Sequence, residues 1–348
     1  MKNSFPFSLR LAGWLVSGSI IIYGLHILQN VILPLIFSIL FAVMLFPACQ
    51  LLERWRFPRI LAIFISQVLF FAIIGGLGYL AYTQVEDFDE QLPKLSEKAE
   101  FWTEKTQKFI SQTFHLSRRK QVIEGKKIAT DILKSGASTI TGALATTTGT
   151  LAAAALVPIF VFFFLLYRDF FRIFFYQLFD TKYKRKVAMG ISKIYDVVQS
   201  YLVGLILVIL IVGVLNSTGL LLLGVDHAIF FGFFAAFLLL IPYIGLMIGS
   251  VLPALMALIT KDSPMYALAV LGIFGLVQLL EGNFITPNIV GSKISINPLA
   301  AMVALILGGN LWGVAGLILA LPSVAIIKVI FDLVEPLKPF GYVLGNAE

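Results

Sequence analysis

Runs of about 18 or more apolar residues recur along this chain, and few charged residues interrupt them. A helix of that length spans the hydrocarbon core of a bilayer, which is roughly 30 Å thick, because each helical residue adds about 1.5 Å. Charged residues make up only 13% of the sequence, against roughly 25% in an average soluble domain. The sequence therefore predicts an all-α integral membrane protein with a lipid bilayer as its surroundings.

Several other function classes are disfavoured by what the sequence contains. The net charge of +7 does not indicate nucleic-acid binding, because Lys and Arg cluster in short segments between the apolar runs. No P-loop, zinc-protease motif or hydrolase nucleophile motif occurs, so we do not expect an enzyme and expect no cofactor. Three histidines and the single cysteine, Cys49, are too few to predict a metal site.

The order of apolar and polar segments predicts four parts of the chain. These are N-terminal scaffold spans (1–83), an extracytoplasmic amphipathic helical segment (84–137), a membrane span with a basic cytoplasmic segment (138–200) and a transport region (201–348). Within the first part, the run from 11 to 48 is too long for one crossing, and Asn30 and Pro34 predict a tight helical hairpin there. The amphipathic segment either lies against the membrane or its own subunit, or forms a self-association surface.

Positive segments near membrane spans stay in the cytoplasm, and this rule sets the predicted topology. Segments 53–59 and 168–193 are both rich in Lys and Arg. We therefore expect a multi-pass protein with its N- and C-termini in the cytoplasm. Span 138–167 begins with many small residues, which allow close helix approach in lipid, so we expect it to form a packed interface.

Two apolar blocks in the last part, 226–260 and 297–331, are too long for one plain crossing and are broken in the middle. Breaks of this kind free backbone groups that lipid cannot satisfy, which predicts re-entrant hairpins. About eight membrane segments result, with the two hairpins arranged as an inverted repeat. The alternative is a set of long, tilted and kinked helices. The residues expected at the hairpin tips are Pro242, Gly245, Gly249, Gly309 and Gly313.

The stretch "EGNFITPNIVGSKISINP", residues 281–298, is the polar interruption between two apolar blocks. We expect Pro287 and Pro298 to end the helices on either side of it. Glu281 either binds a proton or cation at membrane depth, or caps the loop at the interface, where Lys293 is a possible partner. Gln278 lies three positions earlier and shares its helical face. The other predicted binding residues are neutral amides: Asn283, Asn288, Asn297 and Asn310.

The motifs "LLIPYIG" at 239–245 and "EGNFITPNIVGSKISINPLAAMVALILGGNLWGVAGLILALP" at 281–322 closely resemble the signature region of the autoinducer-2 exporter family, the PerM-like permeases. The resemblance implies a bacterial cytoplasmic (inner) membrane protein, related to exporters of a quorum-sensing signal and to sodium or lithium/proton antiporters, and a homo-pentamer. By this resemblance, the residues expected to be functionally important are Pro242, Glu281, Asn283, Pro287, Asn288, Asn297, Pro298, Gly309 and Asn310.

Together these patterns predict a secondary transporter that exports a small polar solute such as autoinducer-2, coupled to an ion. The first alternative is a sodium (lithium)/proton antiporter without an organic substrate. The alternative from another class is a membrane scaffold that transports nothing. The expected partners are thus a small polar solute, protons, and sodium or lithium ions, within a homo-oligomer.

Overall fold

The computed structural model describes residues 6–76, 78–79, 83, 147–240, 244–291 and 295–345, and in these ranges it is helical without strands. The predicted all-α fold class is confirmed. In chain order the α-helices are α1 (Phe7–Ile27), α2 (Gln29–Arg54), α3 (Arg59–Gly76), α4 (Thr147–Leu166), α5 (Arg168–Gln177), α6 (Lys184–Leu222), α7 (Ala228–Leu238), α8 (Ile244–Thr260), α9 (Met265–Leu280), α10 (Pro298–Leu333) and α11 (Lys338–Leu344). The predicted amphipathic segment 84–137 lies outside the described residues.

Six of the described helical stretches are long and apolar enough to cross a membrane: α1, α2, α3, α6, Met265–Gly291 and α10. Their outward faces are apolar, as the exposed side chains of Trp14, Ile20 and Leu207 illustrate. Such faces are stable in lipid and unstable in water. The chain is therefore a multi-pass membrane protein, while the count of about eight segments remains a prediction.

The tight hairpin predicted for residues 11–48 is wrong. Only Leu28 separates α1 from α2, and its backbone stays near the helical region, with φ −86° and ψ 12°. Pro34 lies inside α2 and does not reverse the chain. In lipid a proline inside a helix is tolerated where neighbouring groups satisfy the freed backbone. One turn later, Ser38 Oγ donates a hydrogen bond of 2.5 Å to the carbonyl of Pro34 itself.

The described residues form two compact units that are discontinuous in sequence. The first unit contains residues 6–67, 147–198 and 296–345, and the second contains the described residues between 68 and 83 and between 199 and 295. The first unit thus includes α10, which lies in the last quarter of the chain. The four-part division at 83, 137 and 200 remains a prediction.

In the first unit, α4 packs along α2, which confirms the packed interface predicted for this span as far as it is described. Buried Ser38 on α2 donates to the Val157 carbonyl at 3.2 Å. Gln67 on α3 donates to the Pro158 carbonyl at 2.8 Å. Hydrogen bonds of this kind between helices add to van der Waals packing where no hydrophobic force drives helices together.

In the second unit, α7 and α8 are short helices that pack against each other. A Cβ added at Gly249 would lie 2.6 Å from the Ala235 Cβ, and one added at Gly245 would lie 2.5 Å from the Leu238 carbonyl oxygen. The contact partner moves from Ala235 to Leu238 as the glycine moves back from 249 to 245, so α7 and α8 are antiparallel. The predicted close approach at Gly245 and Gly249 is confirmed. Pro242, the expected tip, lies outside the described residues.

In the first unit, α10 consists of two arms joined at Trp312 and Gly313, whose backbones are not helical. Gly313 has φ +59°, a left-handed conformation that glycine adopts without strain. The arms approach closest at Gly308 and Gly316, which leave no room for a Cβ. The predicted break is therefore present, but Gly308 and Gly316 make the close contact while Gly313 supplies the turn. Re-entrance into the bilayer remains a prediction for both hairpins.

Candidate functional site

Glu281 stands in the second unit, where the regular α-helix of α9 ends. The Glu281 carboxylate accepts a hydrogen bond of 2.7 Å from Gln278 Nε2. Residues three apart on an α-helix are neighbours on its surface, so this contact confirms that the two side chains share a face. Both side chains are half-buried. The Gln278 amide is thereby held by the Glu281 carboxylate at one end. The same side chain lines the cleft that is described below.

From Glu281 the chain continues as a wider π-helix through Ile285, and again from Pro287 to Gly291. The Thr286 amide donates to the Glu281 carbonyl, which is the i to i−5 bond of a π-turn. On an α-helix residues five apart point about 140° away from each other. The π-turn instead places Thr286 above Glu281, and the Thr286 hydroxyl donates to the second oxygen of the Glu281 carboxylate.

The expectation that Pro287 ends the helix is wrong, because helical structure continues to Gly291. In an α-helix the proline ring clashes with the carbonyl four residues earlier and lacks the amide hydrogen that would bond to it. The wider π-turn shifts that bonding register by one residue and so accommodates the ring. π-Segments inside helices are frequent at functional sites, so this one marks the region around Glu281 as a candidate.

A cleft of about 230 Å³, including its open mouth, adjoins Gln278 within the second unit. Its lining comes from α6, α7, α8 and α9: Val212, Asn216, Ala235, Leu239, Gly245, Phe274, Val277 and Gln278. Most of this volume belongs to the open mouth, and the enclosed part has room for about one water molecule or one small ion, so an organic solute would require the cleft to widen. Asn216 and Gln278 bring side-chain amides to these otherwise apolar walls.

Asn216 carries the strongest signal in the cleft. Its side chain is 3% exposed, and its Oδ1 is buried without a hydrogen-bond partner among the described residues. Leaving a buried acceptor unpaired costs about 1–3 kcal/mol, so such an atom calls for an explanation. Its neighbour Ser217 instead donates to the Ile229 carbonyl at 3.3 Å, between α6 and α7. Asn216 thus lines the cleft, and Ser217 bonds between helices.

The predicted amides on helical segments bond to their own backbones. Asn283, Asn288 and Asn310 each donate to the carbonyl four residues earlier, at 2.8, 2.7 and 2.8 Å. All three are exposed, and Asn310 belongs to the first unit. Because only the amide hydrogens are used in these bonds, they do not commit the side-chain oxygens of Asn283 and Asn310.

Asn297 has a structural role in the first unit. Its Oδ1 caps α10 by accepting from the Ala300 amide at 2.8 Å. Pro298, which was expected to end a helix, instead begins α10 at the first helical position. Its Nδ2 donates to the Val343 and Gly345 carbonyls at 2.7 and 2.9 Å. Both ends of the amide are therefore occupied, and they attach the start of α10 to α11.

The remaining predicted residues divide between the two units. Gly245 lines the cleft, and Gly249 packs on α7. Gly309 faces the flexible end of Leu317 within the α10 hairpin. Lys293, the alternative partner of Glu281, lies outside the described residues. Among those that the structure describes, no three side chains of His, Cys, Asp or Glu come together as metal ligands.

Comparison with known proteins agrees with this architecture. The family model described as "AI-2E family transporter" matches residues 15–335. The chain belongs to this transporter family. It is 29% identical over 309 residues to the proposed transport protein YrrI of Bacillus subtilis (strain 168), covering 87% of this chain and 86% of that one. It is 27% identical over 320 residues to the AI-2 transport protein TqsA of Escherichia coli (strain K12), covering 90% and 89%.

Membership of the AI-2E family confirms the resemblance found in the motifs at 239–245 and 281–322. A further relative, the proposed transport protein YhhT of Escherichia coli (strain K12), is 24% identical over 357 residues, covering 99% of this chain and 95% of the relative. The chain is thus a membrane transporter for a small solute, and the scaffold alternative loses its support.

Proposed function

We propose that this AI-2E transporter moves a small polar solute through the cleft of the second unit and that Glu281 couples the movement to an ion. The observation that carries the proposal is the buried, unpaired Oδ1 of Asn216 in the cleft wall. A solute with hydroxyl or amide donors would satisfy this acceptor, and so would a cation. The unpaired state of Oδ1 would then be relieved only when the cleft is occupied.

Glu281 supports coupling because both of its carboxylate oxygens accept hydrogen bonds from neutral groups. An ionised carboxylate accepts at both oxygens, whereas a protonated one carries a donor on one oxygen. Protonation places a donor on one of these oxygens, so the hydrogen bond from Gln278 or from Thr286 to that oxygen weakens or reorients. Since Gln278 also lines the cleft, a proton arriving at Glu281 would change the groups presented to the solute.

Autoinducer-2 is the first organic solute to test, because it is named as the cargo of TqsA. The direction we propose is export. The proposal also includes placement in a bacterial cytoplasmic membrane with both termini in the cytoplasm, re-entrant hairpins at α7–α8 and α10, and a homo-pentamer. The cytoplasmic placement of both termini is supported by the basic segments 53–59 and 168–193, because such segments stay on the cytoplasmic side.

Sodium (lithium)/proton antiport is the second candidate, and the chemistry of the site favours it specifically. Carboxylate and amide oxygens are hard ligands that suit small cations. Glu281, Gln278 and Asn216 all carry such oxygens, and none of the three has a thiol or aromatic group that would favour a softer ligand or cation. In this version the cation and the proton would exchange on Glu281 and no organic solute would be carried.

The test uses full-length protein in liposomes containing a pH-sensitive dye. Sodium or lithium is added outside in one set, and autoinducer-2 efflux is followed with and without a pH gradient in the other. We expect efflux to depend on the gradient and Glu281→Gln to abolish that dependence. A cation-driven pH change lost in Glu281→Gln would instead establish antiport.

The matched control is Glu335→Gln, the same chemical change at an exposed carboxylate on the polar turn after α10. It should transport like the native protein. Coupled flux that survives Glu281→Gln unchanged would remove Glu281 from the mechanism. Absence of both fluxes in native protein that incorporates correctly would contradict the proposed substrates.

A further inference from the structure

Helix α5, "RDFFRIFFYQ", has one apolar and one polar face, and the basic segment 182–186 follows it shortly afterwards. The apolar face is formed by residues at the i, i+1, i+4, i+5 and i+8 spacing: Phe170, Phe171, Phe174, Phe175 and Leu178. These side chains are exposed, Phe170 by 65% and Leu178 by 61%. A patch of this kind is unstable in water and requires a cover.

The polar face of α5 is attached to the protein. Arg168 binds Glu53 on α2 at 2.6 Å, and Asp169 binds Arg59 on α3 at 2.8 Å. The opposite, apolar face is therefore directed away from these anchors. The helix cannot present its phenylalanines to α2 or α3 without breaking both ion pairs.

The position of α5 indicates what covers this face. Only Tyr167 separates it from α4, whose 20 residues include none with a charge. Helix α4 forms the described end of the apolar run 138–167, which the sequence predicts to be a membrane span. Helix α5 therefore begins where that predicted span reaches the membrane surface. Short amphipathic helices with aromatic faces lie in the interface plane, with the apolar side at the boundary between headgroups and acyl chains.

The charges near α5 favour one class of lipid. Between residues 170 and 193 there are six Lys or Arg residues and one carboxylate, Asp180. Lys182, Lys184 and Arg185 are exposed, and in the described part of the chain no carboxylate pairs with them. Positive side chains beside a membrane surface attract anionic headgroups.

We propose that the apolar face of α5 and the basic segment 182–186 form one docking surface for anionic phospholipid of the surrounding bilayer. The aromatic side chains enter the headgroup–acyl boundary, while Lys182, Lys184 and Arg185 contact the phosphate groups. Because the polar side of α5 is ion-paired to α2 and α3, lipid bound here supports the packing of three helices in the first unit. This surface is separate from the cleft in the second unit.

The depth of α5 is tested with an environment-sensitive fluorophore on the full-length protein in nanodiscs. It is attached through Phe174→Cys in a Cys49→Ser background, and the matched control carries it through Arg172→Cys on the polar face of the same helix. We expect blue-shifted emission from position 174, quenched by lipids brominated near the headgroup, and iodide quenching of the control alone. Protection of position 174 from both quenchers would indicate a protein occupant and overturn the proposal. Quenching of position 174 by iodide would show that it faces water and would also overturn the proposal.

The lipid preference is tested by titrating detergent-solubilised protein with phosphatidylglycerol and with phosphatidylcholine. Each basic side chain at an anionic surface contributes about fivefold in affinity, so the triple variant Lys182→Gln, Lys184→Gln, Arg185→Gln should bind phosphatidylglycerol about a hundredfold more weakly. Phosphatidylcholine binding should not change. The control Lys338→Gln removes a charge that is already ion-paired to Glu335 and should leave both affinities unchanged. Equal binding of the two lipids, or an unaffected triple variant, would overturn the proposal.

Discussion

Replacing Gly316 by alanine should separate the two arms of the α10 hairpin. A Cβ at this position would overlap the backbone carbonyl of Gly308, which belongs to the opposite arm and cannot rotate away as a side chain could. Overpacking costs about 1–3 kcal/mol, and because the atoms that clash belong to the rigid backbone of Gly308, we place this case at about 3 kcal/mol. At roughly 2 °C per kcal/mol for a large domain, Gly316→Ala should lower Tm by about 6 °C.

The assay uses the single cysteine of the chain, Cys49, which is 0% exposed and reacts with a thiol dye only when the protein unfolds. Gly275→Ala is the first control, because an added Cβ there has nothing within 4 Å and gains up to about 1 kcal/mol of helix propensity. Gly309→Ala is the second, since its Cβ would meet only the Leu317 side chain, at 3.0 Å. If Gly316→Ala has the same Tm as these controls, the close approach of the two arms is refuted.

Three further substitutions test other contacts. Arg168→Met leaves the half-buried carboxylate of Glu53 without its ion-pair partner and should cost about 3 kcal/mol, measured as a fall in Tm; no change would mean the pair is solvent-screened. Trp312→Phe removes the 3.1 Å hydrogen bond from the indole to the last turn of α1 and should cost about 1 kcal/mol in the same assay, so an unchanged Tm would contradict that contact. Thr286→Val keeps the shape but removes one donor to Glu281, and it should alter the pH dependence of transport while Tm stays within about 1 °C, whereas an unaltered pH profile would exclude this hydroxyl from coupling.

Much of the architecture follows from patterns that are local in sequence. Apolar length predicts the membrane helices, and spacing by three places Gln278 beside Glu281. Glycine clusters correctly mark the breaks at residues 245–249 and 308–316, because close backbone approach excludes a Cβ.

Some local signals in this chain have two structural outcomes. Proline ends a helix in most contexts, but at Pro287 the chain continues as a π-helix, and at Pro34 it continues within α2. Gly309 and Gly313 were expected at the tip of the second hairpin, whereas the close contact between its arms is made by Gly308 and Gly316. Which glycines meet depends on the position of the turn, and no local pattern sets that position.

The candidate site could be predicted from the sequence only in part, because its key contacts depend on tertiary structure. Glu281 and Gln278 stand out as polar residues in an apolar region, and Asn216 is detectable in the same way. Their significance comes from tertiary structure: Thr286 reaches Glu281 only through the π-turn, and the unpaired state of Asn216 depends on the packing of four helices. Asn297 is likewise a polar residue beside an apolar block, yet its role in the structure is to cap a helix.

The most direct test of the account is the transport rate of Asn216→Leu beside its melting temperature. If Oδ1 of Asn216 is an unpaired acceptor kept for the transported species, leucine of similar shape removes a cost of about 1–3 kcal/mol. The variant should then melt at the native temperature or above it and yet carry no coupled flux in liposomes. The matched control, Asn30→Leu at an exposed position on α2, should retain flux. Native flux in Asn216→Leu would contradict the central claim that this cleft is the transport site.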